Sequence, residues 1–333
     1  MIRLAVALLS VIVVFCTSAS AQERVTVGTM RQIANGALFL AHAQGYFKAE
    51  GLDVDMIAYA SDSDVAEAVA ANAADLGLAA FTPAAFNYVG RGYMKAIAAQ
   101  VREKRDYEGN VLVASSVAFA SGLRTFDALA SRTVAIDKLG SPFHYQVAQI
   151  ARVKRFTPTS ITAKPLGNFD AIARAVGTAQ VDAALLPPQY ARELLTANQA
   201  RFVGWYSELD DHQLGALFAS TKAIASKRAV IEKFVKAYQR GVADYSALLR
   251  LDRGKRVSTA KTRDIATIIA RYVYPGKQLG TSAATVESNA YYMDPQGKLD
   301  PVEVVRQVEW YKAQGFVDAS VDPKSVVDTS FLK

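Results

Sequence analysis

Two stretches decide the fold: Glu67-Ala-Val-Ala-Ala-Asn-Ala-Ala-Asp75-Leu-Gly-Leu-Ala-Ala80 and Arg174-Ala-Val-Gly-Thr-Ala-Gln-Val-Asp182-Ala-Ala-Leu-Leu-Pro187. They stand 107 residues apart, and the register holds around them. Thr26-Val27 matches Thr133-Val134, Ala68-Val69 matches Ala175-Val176, and Asp75 matches Asp182. From strand valine to aspartate the spacing is 48 residues in both copies. Each copy reads as an apolar strand, a polar loop, a helix-like run ending in Asp and a second small-residue strand. Two similar α/β lobes facing each other enclose a cleft, and such clefts are where small molecules bind.

Outward from these stretches, Arg24 to Thr29 reads as a β-branched strand and Gly36 to Lys48 as a helix that stops at Gly51. Leu52 to Tyr59 alternates like a half-buried strand, and Leu76 to Phe81 is the next strand. This alternation predicts an α/β chain with mostly parallel sheets and helices on both faces. Asn110 to Phe119 reads as a strand crossing between lobes, and Arg201 to Tyr206 with Leu214 to Ser220 flank the return crossing. After Ser220 the pattern turns helical, with Val230, Ile231, Phe234, Val235, Tyr238 and Val242 at helical spacing. The expected division is 1–21 as an export segment, 22–113 with 216–333 as the first lobe, and 114–215 as the second.

The first segment reads as a cleavable secretory signal. Met1 to Arg3 is basic, Leu4 to Phe15 is apolar but short for a membrane span, and Ala19-Ser20-Ala21 precedes Gln22-Glu23. The one cysteine, Cys16, lies inside it, so the exported chain is expected to have no thiol chemistry, disulfide or Cys-based metal site. The net charge of +7 is scattered: Arg102, Lys104 and Arg105 alternate with Glu103, Asp106 and Glu108. That pattern lacks the basic stripe of a nucleic-acid binder. No G-x-S-x-G, H-E-x-x-H, Walker or G-x-G-x-x-G motif occurs, and His42, His144 and His212 are far apart. Neither a catalytic set, a metal site nor a cofactor is expected.

Ligands of open α/β sheets bind beyond the carboxyl ends of strands. That rule selects Arg31, Gln32 and Asn35 after the first strand, Ser61 and Asp62 after the second, and Phe81 and Thr82 after the third. The second lobe supplies Lys138, Gly140, Ser141, His144, Asn168, Gln189 and its neighbour Tyr190, with Trp205 near the return crossing. Ser141 either opens an anion-binding helix start or only caps its helix. Arg31 is the repeat mate of Lys138, and two cations across a cleft suit a carboxylate or sulfonate. His144 is a candidate for added charge. Asp62 either meets an amine on the ligand or caps its helix. Phe81 and Trp205 either wall a flat ligand or pack internally.

Gly45-Tyr-Phe-Lys-Ala-Glu-Gly-Leu-Asp-Val-Asp55 resembles the periplasmic substrate-binding proteins of ABC importers, in the group that binds sulfonates, taurine, nitrate and thiamine precursors. Ala70 to Gly77, Thr133 to Pro142, Gly297 to Pro301 and Val321-Asp322 are similar to that family's helix end, second-lobe loop and tail. Ser61-Asp62 departs from it, because a glycine-containing loop is common there. The resemblance implies the type II binding-protein fold: two lobes joined by two crossing strands that hinge shut over one ligand. It implies a non-enzymatic, monomeric periplasmic receptor for a small organic anion, docking on a membrane permease served by an ATPase. Two other readings stay open: an enzyme related to thiamine-pyrimidine synthesis on the same fold, and a sensory ligand-binding protein.

Overall fold

The computed structural model describes residues 22–157, 159–252 and 255–332, so the expected export segment, 1–21, lies outside the described residues. The first lobe begins with β1 (Glu23–Thr29), α1 (Gly36–Ala43), α2 (Tyr46–Ala49), β2 (Leu52–Ala58), α3 (Asp62–Ala70), β3 (Leu76–Ala80), α4 (Pro83–Gly90) and β4 (Met94–Ala99). The chain leaves it through β5 (Val101–Glu103). The second lobe holds β6 (Val111–Ser115), α5 (Ser116–Ala120), β7 (Thr133–Ile136), α6 (Pro142–Val153), β8 (Thr162–Pro165), α7 (Phe169–Gly177), β9 (Ala183–Leu186), α8 (Pro188–Thr196) and β10 (Ala200–Trp205). The return runs through β11 (His212–Gln213) into β12 (Gly215–Ser220). Then follow α9 (Thr221–Tyr245), a ribbon of β13 (Leu251–Asp252) and β14 (Lys255–Arg256), α10 (Ala260–Val273), α11 (Leu279–Ser288), β15 (Tyr292–Met293) and α12 (Pro301–Ala313).

The two main sheets have one plan. Their strand orders are β2-β1-β3-β12-β4 and β8-β7-β9-β6-β10. β1 runs parallel to β2 and β3, as β7 does to β8 and β9, while β12 and β6 are the antiparallel members. The register carries the repeat: Val27 pairs with Leu76, and Val134 pairs with Ala183, each partner 107 positions later. The two aspartates do the same job. Asp75 Oδ2 accepts the backbone N–H of Thr26 at 3.2 Å, and Asp182 Oδ2 accepts that of Thr133 at 2.8 Å. Each aspartate also holds a cation, Lys227 at 3.0 Å and Arg132 at 3.3 Å.

Both faces of the first sheet are covered. Val25 and Val27 meet Leu40, Phe234, Tyr238 and Ile269 of α1, α9 and α10, while Phe218 meets Val65, Val69, Phe86 and Tyr311 of α3, α4 and α12. A side chain at Gly241 would strike the Ala37 carbonyl at 2.2 Å, so glycine lets α9 settle onto α1. In the second lobe Val134 and Ile136 pack on Ile150 from one face, and Ala135 packs with Ile172 and Leu194 from the other.

The crossings differ from expectation. Asn110 to Phe119 is not a crossing strand: β6 ends at Ser115, whose hydroxyl caps α5 by accepting the N–H of Ala118. The crossing is made by β5 and the segment after it, and β5 pairs with β11 and β15 in a third sheet between the lobes. The expected boundaries after residues 113 and 215 therefore run through β6 and β12, each of which lies wholly in one sheet.

Truncating either aspartate leaves a strand N–H without its acceptor. Asp75→Ala and Asp182→Ala are each expected to lower the unfolding free energy by about 1–3 kcal/mol. Urea titration checks this, and losses within about 0.5 kcal/mol for both, the scale of a neutral surface change, would contradict it.

Candidate functional site

The strand ends of both lobes open on one cleft of about 500 Å³. Its wall carries the repeat. Met30 and Asp137, Arg31 and Lys138, Ala60 and Gly167, Asp62 and Phe169, Ala80 and Pro187, and Thr82 and Gln189 all line it, and every pair is 107 positions apart. Equivalent strands present equivalent loops at their carboxyl ends, so topology chooses these positions before side-chain chemistry does.

The helices starting at these loops cap themselves. Ser61 accepts the N–H of Asp64, Thr82 that of Ala85, Ser141 that of His144 and Asn168 that of Ala171, at 2.9–3.2 Å. Asp62 is not a cap. Its Oδ1 accepts the N–H of Ala80 at 2.8 Å, which ties the loop before α3 to the end of β3. Asp137, from the end of β7, accepts the Ser141 hydroxyl. Burial raises both carboxyls above the ordinary carboxylate range; Lys138 opposes that rise at both, and Asp137 adds to it at Asp62.

One side of the cleft is aromatic. Phe143 meets Phe169 edge-on at 5.1 Å, and Phe169 meets Tyr190 at 5.3 Å. Val273 and Tyr274 at the end of α10, and Tyr291 before β15, reach the cleft from the C-terminal region. Gln100, Val101, Asn110 and Leu214 line it from the crossing segments. The arrangement is a pocket with cations, acids and rings from both lobes, suited to holding a small polar ligand.

A family model described as NMT1/THI5 like matches residues 33–247. The chain belongs to the NMT1/THI5-like family. Its fold is that of periplasmic binding proteins. The aliphatic sulfonate-binding protein SsuA of Escherichia coli is 15% identical with a TM-score of 0.71, covering 92% of each chain. The alkanesulfonate-binding SsuA of Xanthomonas axonopodis pv. citri, bound to MOPS, is 16% identical at 0.64, covering 94% of this chain and 100% of that one. The nitrate-binding NrtA of Synechocystis PCC 6803 is 10% identical at 0.64, covering 92% and 85%. No curated protein matches the sequence.

Within this NMT1/THI5-like chain, Arg31, Gln32, Ser61, Asp62, Thr82, Lys138 and Gln189 reach the cleft. Tyr190, beside Gln189, does so too, and the other expected site residues do not. Asn35 is buried, donating to Thr29 Oγ1 and the Met30 carbonyl while its Oδ1 accepts from Gln100, so it positions a wall residue. Phe81 is core, stacked on Phe86 at 5.2 Å. Gly140, at φ +77°, makes the turn against Phe316 and Pro83. Ser141 is fully buried and committed to Asp137 and its own helix. His144 accepts the Gly140 N–H and packs on Trp310 at 5.1 Å; burial lowers its pKa, so it supplies no positive charge at neutral pH. Asn168 is a cap. Trp205 lies under the Arg192 guanidinium at 5.6 Å and against Phe202. Asp137 escaped the sequence reading because it sits one residue before the expected loop, although its repeat mate is the first residue after β1. Val273, Tyr274 and Tyr291 carry no strand-end signal at all.

Behind the cleft lies a buried polar chain through the hinge. Tyr291 donates to Asn110 Oδ1 at 2.7 Å, and Asn110 donates to Gln146 Oε1 at 2.9 Å. Gln146 Nε2 lies 3.0 Å from His212 Nδ1, which must accept there. Glu103 Oε1 takes the Asn110 N–H at 2.9 Å, while its Oε2 has no partner among the described residues. On the other side of His212, Glu303 accepts from Tyr145 and from the Gln213 N–H. Burial pushes Glu103 up to about 8, Glu303 up to about 7 and His212 down to about 3.

The signs give a pH prediction. Between the ordinary 4.5 and these raised values the folded state keeps protons that the unfolded state releases, so stability falls as pH rises. His212 acts oppositely, mainly below its ordinary 6.5, and its effect fades over about one pH unit above that. From pH 6.5 to 8 the acids increasingly dominate, at up to about 1.4 kcal/mol per pH unit for each group. Glu103→Gln is expected to flatten that decline in urea titrations at the two pH values; an unchanged slope would contradict it.

Proposed function

We propose that this chain is the exported receptor of an ABC importer, a monomer that captures a small organic anion in the interlobe cleft and presents it to a membrane permease served by an ATPase. The observation that carries the reading is the doubled wall. Repeat mates Arg31 and Lys138 enter one cleft from opposite lobes, beside rings that suit an organic ligand. An anion held by both cations stabilises the closed arrangement through its greater affinity for that state. The positive end of the backbone dipole at the starts of α3, α4 and α7 adds to the same field.

Family membership, the sulfonate- and nitrate-binding names of similar structures, and the signal-like first segment support importer function and periplasmic location. Among the described residues no helix is long and apolar enough to cross a membrane. The structural neighbours are binding proteins, which supports capture rather than turnover.

A thermal-shift screen of sulfonates, carboxylates and nitrate, followed by calorimetry, tests the reading. Arg31→Ala and Lys138→Ala are each expected to weaken the bound anion about tenfold or more, the scale of one charge-assisted hydrogen bond. Full affinity in both variants would contradict the assignment.

A further inference from the structure

The cleft carries charges of both signs, and the protein neutralises none of them by pairing. Arg31, Lys138, Asp62 and Asp137 all line it. Among the described residues none of the four takes part in an ion pair, although such pairs are frequent elsewhere on the chain. The repeat accounts for the cations, which are mates. It does not account for the acids: the mate of Asp62 is Phe169, and the mate of Asp137 is Met30. Each lobe therefore brings a cation at the same topological place and an acid at a different one.

The acids line the one cleft from opposite lobes. Asp62 comes from the first lobe and Asp137 from the second, and the charge of Asp137 disfavours ionisation of Asp62. Neutral donors hold both, chiefly the Ala80 N–H at Asp62 and the Ser141 hydroxyl at Asp137, and no cation closes on either carboxylate among the described residues. Two half-buried carboxyls in one cleft are unfavourable together unless a positive group or a proton accompanies them. Lys138 lowers both, yet among the described residues its ammonium makes no ion pair with either. Beside them stands the aromatic wall of Phe143, Phe169 and Tyr190.

We propose that the ligand is an ampholyte: besides the acidic group held by Arg31 and Lys138, it carries a protonated nitrogen that sits between Asp62 and Asp137. Asp62 and Asp137 are then specificity-determining residues. This rests on the anion reading above and narrows it. The nitrogen also contributes to closure, because the acids belong to opposite lobes. A cation between them draws the lobes together, whereas an amine-free anion leaves them repelling. The two unlike ends give the ligand one orientation in a cleft whose wall positions are otherwise doubled.

The test is titration calorimetry on ligand-free protein with matched probes that differ only in the ammonium. The pairs are 4-(aminomethyl)benzenesulfonate and 4-methylbenzenesulfonate, 4-(aminomethyl)benzoate and 4-methylbenzoate, and 3-aminopropanesulfonate and propanesulfonate. At least one amino probe is expected to bind about tenfold or more tighter than its mate. Asp62→Asn and Asp137→Asn, which keep the acceptor oxygen, are each expected to shrink that ratio by weakening the amino probe and strengthening its mate. Equal or tighter binding of the amine-free members overturns the inference and leaves the anion reading standing. A ratio unmoved by both variants overturns the assignment to these acids. Binding of no probe counts against the anion reading and the inference together.

Discussion

In each lobe one aspartate holds the chain where it enters the last of three parallel strands, and the rest of the molecule depends on that contact. Asp75 and Asp182 take the N–H of Thr26 and Thr133, each one residue before the pairing of β1 with β3 and of β7 with β9. The bond sets the two strands side by side and parallel, while the intervening strand joins the same sheet on the other side of the first and the intervening helices cover its faces. Once three strands run the same way, their carboxyl ends share one edge of the sheet, and their loops share one rim. Two such rims face each other here. The cleft is a consequence of strand direction, and the six mate pairs along its wall are the imprint of that direction.

What joins the lobes is chemically different from what builds them. The main sheets pack on Val, Leu, Ile and Phe, but the third sheet sits among Glu103, Asn110, Gln146, His212, Gln213, Glu303 and Gln307, all nearly or fully buried. Directional hydrogen bonds specify one arrangement better than apolar contact does, at the cost of polar atoms that must be satisfied. Tyr291 and Asn110 belong both to this network and to the cleft wall. A ligand that touches them also touches the hinge. α12 closes the other side: Trp310 packs on Tyr145 at 5.4 Å, which links the C-terminal helix to the second lobe.

How much of this was legible follows from how local each signal is. The repeat and the parallel pairing are written in a constant spacing that needs no tertiary information. Arg31, Lys138, Asp62, Thr82 and Gln189 followed from strand ends. Phe81 and Trp205 misled because an aromatic ring at a strand end is equally suited to a core, and Phe86 and Arg192 happened to supply better partners. Ser141 was legible as a cap or as a ligand and Asn168 as a ligand; burial with its own helix resolves the first as a cap, and the Ala171 N–H occupies the second. The crossing sheet was invisible because β11 and β15 have two residues each and β5 three, too few for periodicity to register. Val273, Tyr274 and Tyr291 reach the cleft only because α10 and β15 pack back over 150 residues after the loops they face.

The central claim is that the two lobes close over a ligand bound between their repeated loops. Glu67 and Arg174 are exposed repeat mates on α3 and α7, and the exported form is expected to be free of cysteine. The most direct measurement is the distance between spin labels placed at Glu67→Cys and Arg174→Cys, with and without a saturating anion that calorimetry shows to bind. The account predicts a broad distribution in the free protein that narrows and shifts to shorter distance with ligand. A bound ligand that leaves the distribution unmoved would contradict it.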